Sequence, residues 1–261
     1  MNDENSLVIS KETISRLIKD VKEIIKNPLE SHGIYYKHDE EDLLKGKALI
    51  MGPQGTPYEN GFYLFEINYP VNYPYSPPKL VYKTNDGVTR FNPNLYKCGK
   101  VCLSVLNTWR GEQWSSCQTI SSILLVLCTV LNDTPFLNEP GITKMHLDYD
   151  NYNTILKFKN IEVAIINMLI NKDIKLVFSE FVEIMKNHFL TNYDKIMDIV
   201  NKEIGASEIG ANEIGASEIG ASAIGANNLY SNIISTSVYQ MSVKINYKDL
   251  KKNLIKCHSI I

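Results

Sequence analysis

Residues 90–114, RFNPNLYKCGKVCLSVLNTWRGEQW, are the part of this chain best equipped for chemistry. They hold an amide donor at Asn94, a bend at Gly99 and a thiol at Cys102. Pro93 stiffens the turn that presents Asn94, and Gly99 permits a sharp change of direction just before Cys102. A thiol beside an amide donor suits acyl transfer: the sulfur forms a thioester and the donor stabilises the oxyanion. The residues alone leave a second reading open, because a cysteine between Val101 and Leu103 also looks like an inert packing residue. A zinc centre fits poorly. Cys98, Cys102, Cys117 and Cys128 are separated by three, fourteen and ten residues, which forms no paired knuckles, and Cys128 falls in an apolar helix. A Cys/His hydrolase would need His32, His38, His146, His188 or His258 as partner, and none lies in a recognisable partner motif.

The elements that must position this stretch follow from periodicity. Over residues 10–26, Ile14, Leu17, Ile18, Val21, Ile24 and Ile25 recur at helical spacing, and Asn27-Pro28 ends the run. Four short β-type runs come next, at 33–37, 47–51, 62–69 and 79–83, parted by Gly, Pro, Asn and Asp clusters. Such short connections predict an antiparallel meander. Residues 84–116 show no sustained period, and irregular chain of that length inside a domain is functional or disordered. A buried helix is expected over 119–131, which is apolar nearly all round, with further helices over 150–171, 175–201 and 247–261. The order of elements predicts an α+β domain. Residues 203–227 are five consecutive pentapeptides, EIGAS-EIGAN-EIGAS-EIGAS-AIGAN. A Gly in every unit opposes helix, and five units are too few for a stable β-helix, so a flexible low-complexity insert is expected.

Composition excludes several classes. With 27 Lys+Arg against 29 Asp+Glu there is no basic excess for nucleic acid. No stretch approaches the roughly 20 apolar residues that span a bilayer. The start, MNDENSLVIS, reads as neither a secretory signal nor a transit peptide. Five cysteines form no disulfide framework, so a reducing compartment, cytoplasm or nucleus, is expected.

Asn92-Pro93-Asn94, a seven-residue spacer containing Gly99, then Cys102-Leu103, Leu106 and Trp114-Ser115 resemble the active-site signature of ubiquitin-conjugating enzymes, the E2s. That signature is His-Pro-Asn, a spacer with a Gly, the Cys, a Leu and then Trp-Ser-Pro. Gly52-Pro53, Thr56-Pro57-Tyr58, Gly61-Phe62 and the run from Tyr73-Pro74 to Pro77-Pro78 are similar to the family's meander motifs. The segments NTWRGEQW, FLNEPG and NYNTILKF resemble a subgroup with a lengthened active-site loop and a C-terminal extension, which includes dual-specificity members.

The resemblance implies the ubiquitin-conjugating fold: N-terminal helix, four-stranded antiparallel meander, crossing helix and C-terminal helices, with a helical extension. The domain plan is then a flexible N-terminus (1–9), a catalytic domain (10–172), the helical extension (173–202), the repeat (203–227) and a C-terminal segment with a helix (228–261). By resemblance Cys102 takes ubiquitin or a ubiquitin-like modifier from an activating enzyme as a thioester and passes it to a substrate lysine, usually with a ubiquitin ligase. Partners would be the modifier, the activating enzyme, ligases and protein substrates, with no nucleic acid and no membrane. No cofactor or metal is bound directly; ATP is used upstream by the activating enzyme. Asn94 would support the loop and the oxyanion, and Glu139 would stand at an acidic gate. Tyr75 with Ser116 and Cys117 would form the ligase-binding loops, and Tyr73-Pro74 would carry a cis peptide bond. Asn92 replaces the usual His, which should alter loop hydrogen bonding without removing activity. Ser116-Cys117 replaces a common Pro-Ala and points to an unusual ligase choice. The alternative is a non-catalytic scaffold of the same fold that positions ubiquitin; such variants lack the cysteine.

Overall fold

The structure, a computed structural model, describes residues 9–215 and 232–261. The expected flexible N-terminus therefore lies, but for its last residue, outside the described residues. The chain forms two compact units that divide after Lys144.

In the first unit, helix α1 (Lys11–Lys26) starts where the Ser10 hydroxyl accepts the Thr13 N–H at 3.0 Å, a standard cap. It buries Leu17 and Ile24. Strands β1 (Ile34–His38), β2 (Lys45–Met51), β3 (Phe62–Asn68) and β4 (Lys79–Tyr82) follow as an antiparallel sheet in sequence order, as the short connections predict. Leu49 stands opposite Leu64, and Phe65 opposite Tyr82. Four successive residues of β3, Phe62 to Phe65, are buried, so both faces of the sheet are covered there. On one face Tyr63, Phe65 and Tyr82 form an aromatic cluster with Tyr58 and Phe91, the Tyr58–Tyr63 centroids lying 5.4 Å apart edge to face. Gly52 lets the preceding turn close. Its N–H donates to the Gly61 carbonyl at 2.8 Å, and a Cβ there would stand 1.6 Å from the Tyr58 carbonyl oxygen. Helix α2 (Ile120–Thr129) opens with a capping box between Thr119 and Ser122 and buries Ile120, Ile123, Leu124 and Leu127. It packs against α1.

The second unit begins with α3 (Tyr149–Lys159), which passes into a π-helical segment, Asn160–Asn167, and α4 (Met168–Ile170). The helix expected over 175–201 is broken. α5 (Lys172–Val177) stops where Phe178 and Phe181 turn inward, both buried, and α6 (Val182–Gly215) begins after them. α6 also corrects the reading of the repeat, because it runs through Gly205 and Gly210 to Gly215. Each glycine costs a helix only about 1 kcal/mol, and extending an existing helix needs no new nucleus. The rest of the repeat lies outside the described residues.

A hairpin, β5 (Asn232–Thr236) with β6 (Met241–Ile245), precedes α7 (Tyr247–Ile260) and was not expected from sequence. α7 packs on α6 and on the π-helical segment and buries Tyr247, Leu250, Leu254 and Cys257, with Tyr247 edge to face on Phe158 at 5.3 Å and His258 stacked on Tyr193 at 4.0 Å between centroids. Burial pushes the Cys257 thiol up to about 11.

The hairpin's turn holds Tyr239 and Gln240 in left-handed conformations, at φ 65° and 49°. The Asp148 carboxylate secures it, accepting from the Ser237 hydroxyl at 2.7 Å and the Val238 N–H at 2.8 Å. Burial alone would raise the Asp148 pKa, but these donors and nearby His146 outweigh it and hold the carboxyl below its ordinary value.

Two outcomes follow. Gly52→Ala should cost at least about 3 kcal/mol in urea unfolding, since the clash is with backbone and no rotamer relieves it. Asp148 has a folded-state pKa below its unfolded value near 3.8, so its contribution is present above that pH and lost as pH falls through the folded value. Asp148→Asn should therefore lower the urea midpoint at neutral pH and flatten its decline below about pH 4. Parallel declines in the two proteins would remove Asp148 from the account.

Candidate active site

The aromatic cluster sets the floor of the site. Tyr58 donates its hydroxyl proton to the Phe91 carbonyl at 2.8 Å, which fixes the chain just before Asn92. Asn92 is fully buried, and its amide is saturated. The Nδ2 protons go to the Tyr58 oxygen and the Val130 carbonyl, both at 2.7 Å. Oδ1 accepts the Asn94 N–H at 2.9 Å and Asn138 Nδ2 at 3.4 Å. Arg90 braces the same turn from its other side, donating to the Asn92 and Pro93 carbonyls while its guanidinium lies 3.4 Å from the Tyr96 ring centroid.

From this turn the chain makes a small hairpin. Leu95 bridges Val101, and a tight turn joins them with the Gly99 N–H donating to the Tyr96 carbonyl at 2.9 Å. Gly99 sits at φ +87°, where side chains are strained, and a Cβ would come 3.0 Å from the Tyr82 carbonyl oxygen. The Gly99 carbonyl accepts the Tyr82 N–H at 2.7 Å, which fastens the hairpin to the end of β4. Cys102 follows directly and is 2% exposed.

Asn94 and Cys102, paired by the sequence reading, are in direct contact. The Cys102 N–H donates to the Asn94 carbonyl at 2.8 Å, and Asn94 Nδ2 donates to the Cys102 carbonyl at 2.7 Å. The amide is thus aimed at the main chain of the cysteine. Its Oδ1 is buried and accepts no hydrogen bond.

Glu139 is half-buried at the end of a short 3-10 turn, Pro135–Asn138, and its amide donates to the Phe136 carbonyl at 3.2 Å. What ties this segment to the site is the neighbouring Asn138, through Asn92 and the Val130 carbonyl.

Tyr75 and the 116–117 loop are brought onto one face of α1. Tyr75 is 67% exposed, follows a cis Tyr73-Pro74 bond as the resemblance implies, and donates to the Glu12 carboxylate at 3.2 Å. One turn along α1, Arg16 donates to the Ser116 and Gln118 carbonyls and to Asp20, and Asp20 in turn accepts the Tyr73 hydroxyl. Burial, then that carboxylate, drive the Tyr73 pKa well up. Trp114 Nε1 donates to the Pro74 carbonyl at 2.7 Å and joins the two loops directly. Cys117 is exposed. Sequence reasoning missed Tyr58, Arg90, Arg16 and Asn138 as organisers of the site. TPY and FLNEPG carried two of them, but only as family motifs.

Among the described residues no group of three or more His, Cys, Asp or Glu is placed to hold a metal ion, and burial raises the Cys128 thiol within α2. The family profile described as ubiquitin-conjugating enzyme matches residues 16–160, which takes in every residue of this site except Glu12. The chain belongs to the ubiquitin-conjugating enzyme family. It is 39% identical over 189 residues to ubiquitin-conjugating enzyme E2 Z of Danio rerio, covering 71% of this chain and 56% of that one. With E2 Z of Homo sapiens it shares 41% over 160 residues, 60% of this chain and 45% of the relative. It thus spans about half the length of these relatives. The solved structure of human ubiquitin-conjugating enzyme E2 G1 aligns with a TM-score of 0.41 at 30% identity, over 48% of this chain and 97% of that one.

In this member the Asn92 hub should be measurable. Asn92→Ala strands the buried Asn94 N–H and takes one of two partners each from the Tyr58 hydroxyl and the Val130 carbonyl, and should cost on the order of 3 kcal/mol in urea unfolding. A loss below about 1 kcal/mol would show that water replaces the amide.

Proposed function

We propose that this chain is an E2 enzyme, which accepts ubiquitin or a ubiquitin-like modifier as a Cys102 thioester and delivers it to a substrate lysine. The reciprocal bonding of Asn94 and Cys102 within the family-matched region carries this reading. In the first transfer the Cys102 sulfur attacks the thioester on the activating enzyme. A new sulfur–carbon bond forms at Cys102, and the activating enzyme's cysteine leaves as thiolate. ATP is consumed in making that upstream thioester, and this chain needs no cofactor of its own. In the second transfer a neutral lysine amine attacks the same carbonyl carbon, the oxygen gains charge, and Cys102 is the leaving group.

Asn94 serves both steps differently. Holding the Cys102 main chain matters throughout, whereas donating to the oxyanion matters where the lysine attacks. Glu139 is the candidate carboxylate near the incoming amine, where an anion helps the ammonium shed its proton. Tyr75 and the 116–117 loop, gathered on α1, supply the surface for a ligase, with Tyr75 as an aromatic anchor. Substrates are proteins with accessible lysines.

Incubation with activating enzymes, ATP and a panel of modifiers tests this. Cys102 should carry a reductant-sensitive adduct, Cys102→Ser a reductant-stable one and Cys102→Ala none, while Cys98→Ala loads normally. Asn94→Ala should load but discharge to lysine about 100-fold more slowly, the loss typical of a removed oxyanion donor. Glu139→Ala should show a milder defect that narrows at higher pH, where more lysine is neutral. Normal loading of Cys102→Ala would overturn the assignment.

A further inference from the structure

The loop that follows Cys102 brings Thr108 beside the chain on either side of the cysteine. Residues 101–103 run extended, with Leu103 at φ −132° and ψ 147°. In an extended segment the N–H and C=O groups of alternate residues point to opposite edges. Asn94 takes one edge, pairing with both main-chain groups of Cys102. The other edge carries the Val101 carbonyl and both main-chain groups of Leu103, and Thr108 takes these. Its Oγ1 accepts the Leu103 N–H at 3.0 Å and lies 3.2 Å from both the Val101 and the Leu103 carbonyl oxygens. The Thr108 N–H donates to the Leu103 carbonyl at 3.1 Å.

The loop is shaped to bring Thr108 there. Asn107 turns the chain in a left-handed conformation at φ 58°, and its Oδ1 accepts the Trp114 N–H at 2.8 Å across the loop. Gly111 then passes so close that a Cβ would meet Ser104 Cβ at 3.1 Å. Thr108 is itself exposed, so it fills no core position and its hydroxyl is not explained by packing.

We propose that Thr108 is a positioning residue for the Cys102 thioester, standing in for a partner strand on the edge that Asn94 leaves uncovered. The statement about the thioester rests on the E2 reading; the statement about the backbone does not. With both edges held, the Cys102 carbonyl and N–H keep one orientation, and with them the direction in which Sγ leaves the chain. Without the hydroxyl, the edge at Val101 and Leu103 is open to water and the segment can twist.

The test compares Thr108→Val, which keeps the shape and loses the hydroxyl, with Thr108→Ser, which keeps the hydroxyl, in the full chain. Amide hydrogen exchange at Leu103 and iodoacetamide alkylation of Cys102, resolved from Cys98 by peptide mass, are read alongside loading kinetics. Thr108→Val should exchange at Leu103 and alkylate at Cys102 about tenfold faster, the scale of one lost hydrogen bond. Its loading kcat should fall by a similar factor, with KM for the charged activating enzyme unchanged. Thr108→Ser should match wild type in every readout. Wild-type exchange and turnover in Thr108→Val would overturn the proposal, and so would a Thr108→Ser variant as impaired as Thr108→Val. If wild type loads no modifier, the E2 reading fails separately, and exchange and alkylation still decide the role of Thr108.

Discussion

One side-chain amide, that of Asn92, determines where the reactive segment sits. Both of its protons and both faces of its oxygen are engaged, and the partners come from four separate pieces of chain: the turn before β3, the end of α2, Asn94 and the 135–138 turn. A buried polar group left unpaired costs about 1–3 kcal/mol, so these pieces have a single arrangement in which all are satisfied. The family's histidine could not reproduce this set, since an imidazole offers at most one hydrogen-bonding atom at each of two positions.

Around that hub the site is rigid in its main chain. The aromatic rings of Tyr63, Tyr82 and Phe91 support it from the sheet, and Gly99 fastens the hairpin to β4. With the main chain of Cys102 bonded by Asn94 and its two neighbours bonded by Thr108, the soft coordinate left to the Cys102 side chain is rotation about its own χ1. Cys102 is 2% exposed in the described conformation, so under the proposed function an acyl donor would gain access by that rotation or by displacement of the loop at 107–113.

Much of this was legible because it repeats. α1, the four strands and α2 have strong periodicity and sharp punctuation, and their ends differ from the sequence reading by only a residue or two. Elements without such signals were lost. β5 and β6 are only five residues each, and of the two only β6 alternates, through Met241, Val243 and Ile245. The π-helical segment keeps a helix-like apolar pattern and cannot be told from α-helix by spacing. α6 crosses the glycines of the repeat because helix already formed upstream of it, a cooperative effect that single-residue propensities do not register. In the site, Cys102 and Asn94 stood out through their likeness to a family signature, because the residues alone fitted an inert packing cysteine as well. The Asn92 hub was not, because its partners Tyr58 and Asn138 lie 34 and 46 residues away and only folding brings them together.

The guanidinium of Arg16 is wholly occupied inside the protein, by Asp20 and by two main-chain carbonyls of the loop that follows Trp114. The cations that α1 turns outward are therefore lysines: Lys11, Lys19, Lys22 and Lys26 are all exposed. Flexible ammonium groups act as point charges, their pull fades over about 8 Å at physiological ionic strength, and acetylation erases it. If α1 serves the proposed ligase surface, recognition there divides into two layers. The loop geometry, set by Arg16 on backbone oxygens, is indifferent to salt and to lysine chemistry, whereas the strength with which a negatively charged surface is drawn to it can be adjusted from outside without disturbing that geometry.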